Sequence, residues 1–357
     1  GMYCRHGNEG IDNNNANDVS QPLYNLTKKD WWMHHENRID LFPPAAGDFL
    51  ELRAGGYVTL ELSVNRAFTT TSENPILGEF PNGQNEIFPS GRSAEGCVTE
   101  PNLHTKSEAE AAGTVLAISY ANTLDGVSSD NLGVISVAYK TPWRRLVNYS
   151  LPMMPTCSDA GCHCAWGWVP TGCGRPDMYM QPFKCKVTNG FSIFGPPTFK
   201  PAKALPPVWC QDDPSKCIVG PKQMIYYNQL DGNNVNLTGV DNAGNPKKPA
   251  YDMRYGWADG TPQTLAMFVR FATHDSRSFR RRTVGLRALC EDSSRQEAVC
   301  ARLVRGWVPV RSCPCREGAA PPLALIYVMF LGRAWKIFIY RNLLSHHFEL
   351  FRSLCRL

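Results

Sequence analysis

Residues 57–63, Tyr-Val-Thr-Leu-Glu-Leu-Ser, alternate between apolar and polar side chains for most of their length. That is the period of a strand with one face in a core and the other in water. Residues 114–120 do not alternate. They are almost continuously apolar and partly β-branched, which predicts a strand in the middle of a sheet, covered on both faces. Further strand-like runs occupy 67–71, 134–139, 165–169 and 183–187, and 223–229 reads as one last strand. Helical periodicity is scarce. Residues 28–35 predict a short helix of about two turns, with Thr27 as its cap and Phe42-Pro43-Pro44 as its stop. The connections are rich in Gly, Pro and Asn, and the longest runs from 73 to 107. Beyond residue 187 the chain is loop-rich, and Trp209 is expected to pin that segment back onto the body. Many short strands, long connections and little helix predict an all-β protein, a β-sandwich with one short helix.

Composition changes this picture mainly at the C-terminus. The chain has 357 residues, 43% of them hydrophobic, enough for a proper core in one large domain or two ordinary ones. Its net charge of +5 is unevenly spread. From residue 266 onward there are 15 Arg and 1 Lys against 6 acidic groups, a net of +10; residues 1–265 hold the remaining 21 basic and 26 acidic groups, a net of −5. Compositions so different predict two units, a β-sandwich domain over 1–265 and a basic tail over 266–357. The cluster Ser278-Phe279-Arg280-Arg281-Arg282 has no aromatic platform or known module beside it, so a nucleic-acid partner is not expected. The apolar run 321–331 is shorter than the roughly 20 residues a membrane helix needs, so no span is expected either. The tail is expected to be irregular and poorly ordered, a non-native segment arising from an altered reading of the gene's end.

Five cysteines lie between Cys157 and Cys185, and nine lie in residues 1–265. An odd number cannot all pair. Cys97, Cys157, Cys162, Cys164, Cys173, Cys185, Cys210 and Cys217 are the disulfide candidates, in a connectivity left open. Sequons at Asn25, Asn148 and Asn236 add three candidate glycosylation sites. Together they predict a secreted protein folded in an oxidising, extracellular setting. The competing reading is a cytosolic zinc protein built on Cys162-His163-Cys164, but that spacing lacks paired CxxC knuckles. The first residue is Gly1 and no signal-like apolar run follows it, so a processed form or a fragment is expected.

Two residues stand out for chemistry. His104 lies in a loop before a strand, where an imidazole can serve copper, and Tyr179 is expected in a loop held by the cysteine-rich segment. Taken alone, each is an ordinary structural residue. His34 and His35 belong to the predicted helix and take no role. Trp31, Trp32, Trp143, Trp166 and Trp168 have largely apolar neighbours and are expected to be buried, with a sugar-stacking surface as the alternative.

The stretches DWWMHHENRIDLFPPAAGDFLELRAGG, VNRAFTT, LHT ahead of TVLAISY, CHCAWGW, MYMQPFKCKV and YDMRYGWADG occur in this order. In this the chain resembles the fungal lytic polysaccharide monooxygenases of auxiliary-activity family fourteen, from Gly1 to about residue 260 and not in the tail. The resemblance implies a secreted, immunoglobulin-like β-sandwich with long disulfide-tied loops and one copper ion on an exposed face. Copper would be held by the amino group and imidazole of an N-terminal histidine, by His104, and axially by Tyr179. Expected partners are plant cell-wall polysaccharide, namely xylan associated with cellulose, and an external electron donor; the protein is expected to be a monomer. His163 is a candidate for the polar group beside the metal. The chain departs from the family at its start, where Gly1-Met2-Tyr3-Cys4 stands without the histidine. As written it offers only His104 and Tyr179, so copper binding is expected to be weak or absent, with enzyme activity only if the intact N-terminus carries histidine. The alternative is a non-catalytic secreted relative that binds copper, cell-wall glycan or a host component.

Overall fold

The computed structural model describes residues 1–10, 15–85, 91–190 and 202–260, with two strands at 325–331 and 334–340. The chain divides after His274 into two units. The first contains β1 (Leu50–Arg53), β2 (Tyr57–Glu61), β3 (Gly91–Arg92), β4 (Val98–Glu100), β5 (Thr114–Ser119), β6 (Gly133–Ala138), β7 (Leu146–Ser150), β8 (Cys162–Trp168) and β9 (Tyr179–Thr188). Five of these form one sheet in the order β1-β9-β8-β5-β6, with β1 parallel to β9 and the other pairs antiparallel. β2 pairs with β7 as a second, two-stranded layer. The all-β sandwich expected from the pattern is the observed architecture.

Residues of β5 show why the large sheet is covered on both faces. Leu116 and Ile118 join Leu52, Leu60, Val147 and Tyr149 in the core beneath the β2–β7 layer. Val115 and Ala117 point the other way, into a core built with Trp31, Met33, Tyr226, Tyr251 and Trp257. All six β5 residues are therefore buried, as a nearly unbroken apolar run requires. On β2 the alternation is real: Val58 and Leu60 are buried, while Tyr57 and Thr59 face water. Four disulfides close the framework: Cys97–Cys173, Cys157–Cys162, Cys164–Cys185 and Cys210–Cys217. They use all eight candidates and rule out zinc at Cys162-His163-Cys164. Cys4 is the unbridged cysteine among the described residues. Trp209 packs against the core cluster that holds Val115 and Ala117 of β5, and so pins its segment to the body; it also meets Tyr255 edge-on, with ring centroids 5.4 Å apart.

Several local expectations need correction. Residues 67–71 form no strand; Arg66–Phe68 is a 3-10 turn whose Ala67 N–H donates to the Asn65 side chain at 3.0 Å. A nearby asparagine thus offers the backbone a local partner in place of a ladder. The helix over 28–35 is a single α turn, Lys28–Trp31, followed by a 3-10 turn, Trp32–His34. Met33 and His34 take left-handed φ of 53° and 61°, which breaks the helix and delivers Met33 and His34 to the interior. Thr27 has cap geometry, yet its hydroxyl donates to the Asp30 carboxylate, and the Lys28 N–H goes to Asp231. Residues 223–229 are largely buried but form no strand. Asn234 takes the place of a partner strand there: its Oδ1 accepts from Tyr226 N and its Nδ2 donates to Met224 O, at 2.8 Å each.

In the second unit, β10 (Leu325–Leu331) and β11 (Ala334–Tyr340) pair antiparallel, from Leu325 opposite Tyr340 to Leu331 opposite Ala334. This pair departs from the expected irregular tail, its apolar residues forming two facing strands; the arginine cluster at 278–282 and the rest of the tail lie outside the described residues. Among the described residues no helix is long and apolar enough to cross a membrane.

Candidate functional site

Tyr179 does not sit in a loop. It is the first residue of β9, opposite Trp168, the last residue of β8. Alternation then places Trp166, Trp168, Tyr179, Gln181 and Phe183 on one face, the face that the β2–β7 layer covers further along the sheet. Where that cover stops, the face opens as a cleft of about 810 Å³. Gly1 and Asp48 line the cleft, and so do His104 and Tyr179. Gly1 donates its amine to Asp48 at 3.1 Å and accepts from Lys184 N at 2.7 Å.

His104 reaches this face from the loop after β4. Its neighbours Leu103 and Thr105 are buried, with Val98 N donating to Thr105 O at 2.8 Å. The turn between those two anchors leaves His104 half-buried, with a left-handed φ of 49° that few non-glycine residues adopt. Disulfide Cys97–Cys173 ties this loop to the one ahead of β9. The Cys173 carbonyl, at 3.1 Å, accepts the Nδ1 proton of His104. That bond fixes the tautomer and leaves the Nε2 lone pair on the cleft side of the ring. Gly172 has to be glycine, because a Cβ there would lie 2.9 Å from the His104 carbonyl oxygen.

Tyr179 Oη lies 3.4 Å from His104 Nε2. Trp168 holds both rings, stacking on Tyr179 at 4.6 Å and meeting His104 edge-on at 5.6 Å. Burial lowers the His104 pKa, opposed by the Cys173 carbonyl and the Asp177 charge. Burial, followed by the Asp177 charge, raises the Tyr179 phenol to about 12. At neutral pH the pair is therefore a neutral imidazole with an available Nε2 and a protonated phenol. This donor set, one imidazole nitrogen and one neutral phenol oxygen, would suit a metal that favours imidazole and tolerates a weak oxygen donor. Among the described residues no cluster of three or more His, Cys, Asp or Glu offers a competing metal site.

The structure thus joins the two residues singled out for chemistry and separates the others from them. His163 lies on β8 five residues from Trp168, about 16 Å along the strand, and is not beside the pair. It is buried, with Nδ1 bonded to Ala121 O at 3.0 Å. His34 is buried between Met180 O and Asn37, and His35 pairs with Asp40. Asn25, Asn148 and Asn236 are all exposed, Asn148 on the outer face of β7. Sequence reasoning missed Trp168 as the residue that packs the pair. The signal was the two-residue spacing of Trp166 and Trp168 within one strand, which puts both rings on one face.

The family described as Lytic polysaccharide monooxygenase AA14 matches residues 2–319, a span that runs into the basic tail. The chain is 32% identical over 252 residues to AA14 family lytic polysaccharide monooxygenase A of Trametes coccinea, covering 69% of this chain and 55% of that protein. It is 33% identical over 272 residues to the B protein of Talaromyces rugulosus, covering 73% and 88%. It is 34% identical over 252 residues to the B protein of Pycnoporus cinnabarinus, covering 68% and 62%. The chain therefore spans little more than half of the Trametes relative. With a match over most of its length and relatives above 30% identity, the chain belongs to the AA14 family of lytic polysaccharide monooxygenases.

Proposed function

We propose that the protein is a secreted copper-dependent monooxygenase that oxidises plant cell-wall polysaccharide, with xylan on cellulose as its substrate, and that His104 and Tyr179 are its copper ligands. The observation that carries this reading is the 3.4 Å approach of His104 Nε2 to Tyr179 Oη, two residues 75 positions apart. Their donor set fits copper. Copper bound there would supply one-electron activation of dioxygen or peroxide, driven by an external reductant, for attack on a sugar C–H bond. The chain's own residues orient and restrain. The Cys173 carbonyl sets the His104 tautomer, Trp168 fixes both ring planes, and Cys97–Cys173 keeps the two loops in register. The raised phenol pKa keeps Tyr179 a neutral, weak oxygen donor. Two side chains hold copper weakly by themselves, and the family resemblance assigns the missing nitrogen donors to an N-terminal histidine. The cleft that joins the neighbourhood of Gly1 to His104 and Tyr179 gives such a chain start a route to the metal.

The test is N-terminal sequencing of the naturally secreted protein, followed by copper titration and mass spectrometry of xylan and cellulose digests with a reductant. Histidine at the first position, tight binding of one copper and oxidised oligosaccharides are expected. Tight copper binding without oxidised products identifies a non-catalytic relative. A different first residue with no tight copper binding overturns the assignment.

A further inference from the structure

Leu23 and Met178 form an isolated antiparallel bridge, with Leu23 N donating to Met178 O at 2.7 Å and Met178 N to Leu23 O at 3.1 Å. Both side chains point into the core, so their neighbours Tyr24 and Tyr179 leave the backbone on the opposite face. Diagonal neighbours across such a bridge lie about 7–8 Å apart, close enough for large side chains to share one ligand. Tyr24 is exposed, at 38%. The Arg175 guanidinium sits 3.9 Å from the centroid of the Tyr24 ring. Arg175 follows Cys173 by two residues, so the loop that fixes His104 also fixes this cation. Asp177 orients it from 3.4 Å, and Asp177 is itself held by Asn228 Nδ2 at 2.8 Å. The Arg175 side chain remains 62% exposed, with donors to spare.

The Arg175 guanidinium lies closer to the Tyr24 ring than Lys28, Lys247 or Arg254 lies to its tryptophan. An aromatic face takes the axial C–H side of a pyranose, and guanidinium N–H groups donate to ring hydroxyls. From this geometry we infer that Tyr24 and Arg175 form a sugar-binding subsite flanking the His104–Tyr179 pair, which stacks one pyranose of a β-linked polysaccharide and sets which sugar lies over the metal. The inference rests on the proposed action on polysaccharide. Its test separates the two. Retention on insoluble xylan and on microcrystalline cellulose is measured for the full chain, Tyr24→Ala, Tyr24→Phe and Arg175→Ala. All are made in an Asn25→Gln background, so that a glycan at the neighbouring sequon contributes nothing.

Tyr24→Ala is expected to lower the partition onto polysaccharide at least about five-fold, Tyr24→Phe to keep it, and Arg175→Ala to fall between. Melting temperature and copper affinity should be unchanged in all three. Polysaccharide retention by Tyr24→Ala equal to that of the parent overturns the subsite, as does a parent protein retained on neither solid. A protein held through Tyr24 that takes up no copper keeps the subsite and loses the oxidative reading. One that takes up copper and is indifferent to Tyr24 does the reverse.

Discussion

The β8–β9 ladder has a histidine near each end, and the two ends show what makes an imidazole a candidate for a site. At the His163 end the ring is 1% exposed, bonded to Ala121 O and packed against Tyr3. Cys164–Cys185 ties this end across the two strands, and Cys157–Cys162 closes the short loop leading into it. At the Tyr179 end the covering layer stops, and His104 arrives from a separate loop with Nδ1 satisfied and Nε2 directed at Tyr179. Both imidazoles have pKa values lowered by burial. Desolvation alone therefore does not distinguish them. Access and a second donor do. The difference also assigns separate tasks to the disulfides: three brace the body, while Cys97–Cys173 joins the two loops that meet at the candidate site.

That contrast can be broken most forcefully at the disulfides. Cys97–Cys173 spans 76 residues and Cys157–Cys162 spans 5. On chain-entropy grounds, removing the first with paired Cys→Ser changes should cost about 4.5 kcal/mol and removing the second about 2 kcal/mol. Chemical denaturation checks both. The first pair should also weaken copper binding, and the second should leave it unchanged. A smaller but more specific effect is expected from the histidines. His104→Ala should weaken copper at least about 100-fold, since losing even an outer partner of a ligand costs 10–100-fold. His163→Ala should leave copper affinity alone and cost about 1–3 kcal/mol of stability, because it empties a buried ring site and removes that ring's bond to the Ala121 carbonyl. Tyr179→Phe should alter the copper spectrum while changing affinity less than about ten-fold, because a phenol raised to about 12 is a protonated, weak donor at neutral pH.

The smallest effect is in acid. His34 and His163 have folded pKa values lowered chiefly by burial. Below the ordinary imidazole value of about 6.5 the unfolded chain takes up protons that the native one refuses, so stability falls as pH falls through that range. Unfolding midpoints measured between pH 8 and 5 should decline from near 6.5 downward, and His163→Gln should flatten part of the slope.

The strands were legible wherever burial wrote a period into the chain. Residues 115–118 are apolar without a break because both faces of β5 are covered, and 57–61 alternate because one face of β2 is wet. Residues 67–71 and 223–229 misled for one shared reason: Asn65 and Asn234 satisfy backbone groups that a ladder would otherwise take. In 223–229 the apolar content reports burial, while 67–71 is only half-buried to exposed. No spacing rule leads from His104 to Tyr179. Shared family motifs pointed to both, and tertiary contact between a loop and a strand end brings them together. His163 was a plausible neighbour on motif grounds and sits at the wrong end of its strand, since five residues of β structure carry a side chain far from its starting point. Trp168 and Tyr24 went unassigned because an aromatic's partner is set by register, which composition does not reveal.

The central claim, that His104 and not His163 meets Tyr179 at a copper site, is tested most directly by electron paramagnetic resonance of copper(II) added to the naturally secreted protein and to its His104→Ala and His163→Ala variants. The account predicts one bound copper with imidazole-nitrogen coupling in the parent and in His163→Ala, and a spectrum of loosely bound or free copper in His104→Ala. A parent-like spectrum in His104→Ala, or its loss in His163→Ala alone, would contradict the account.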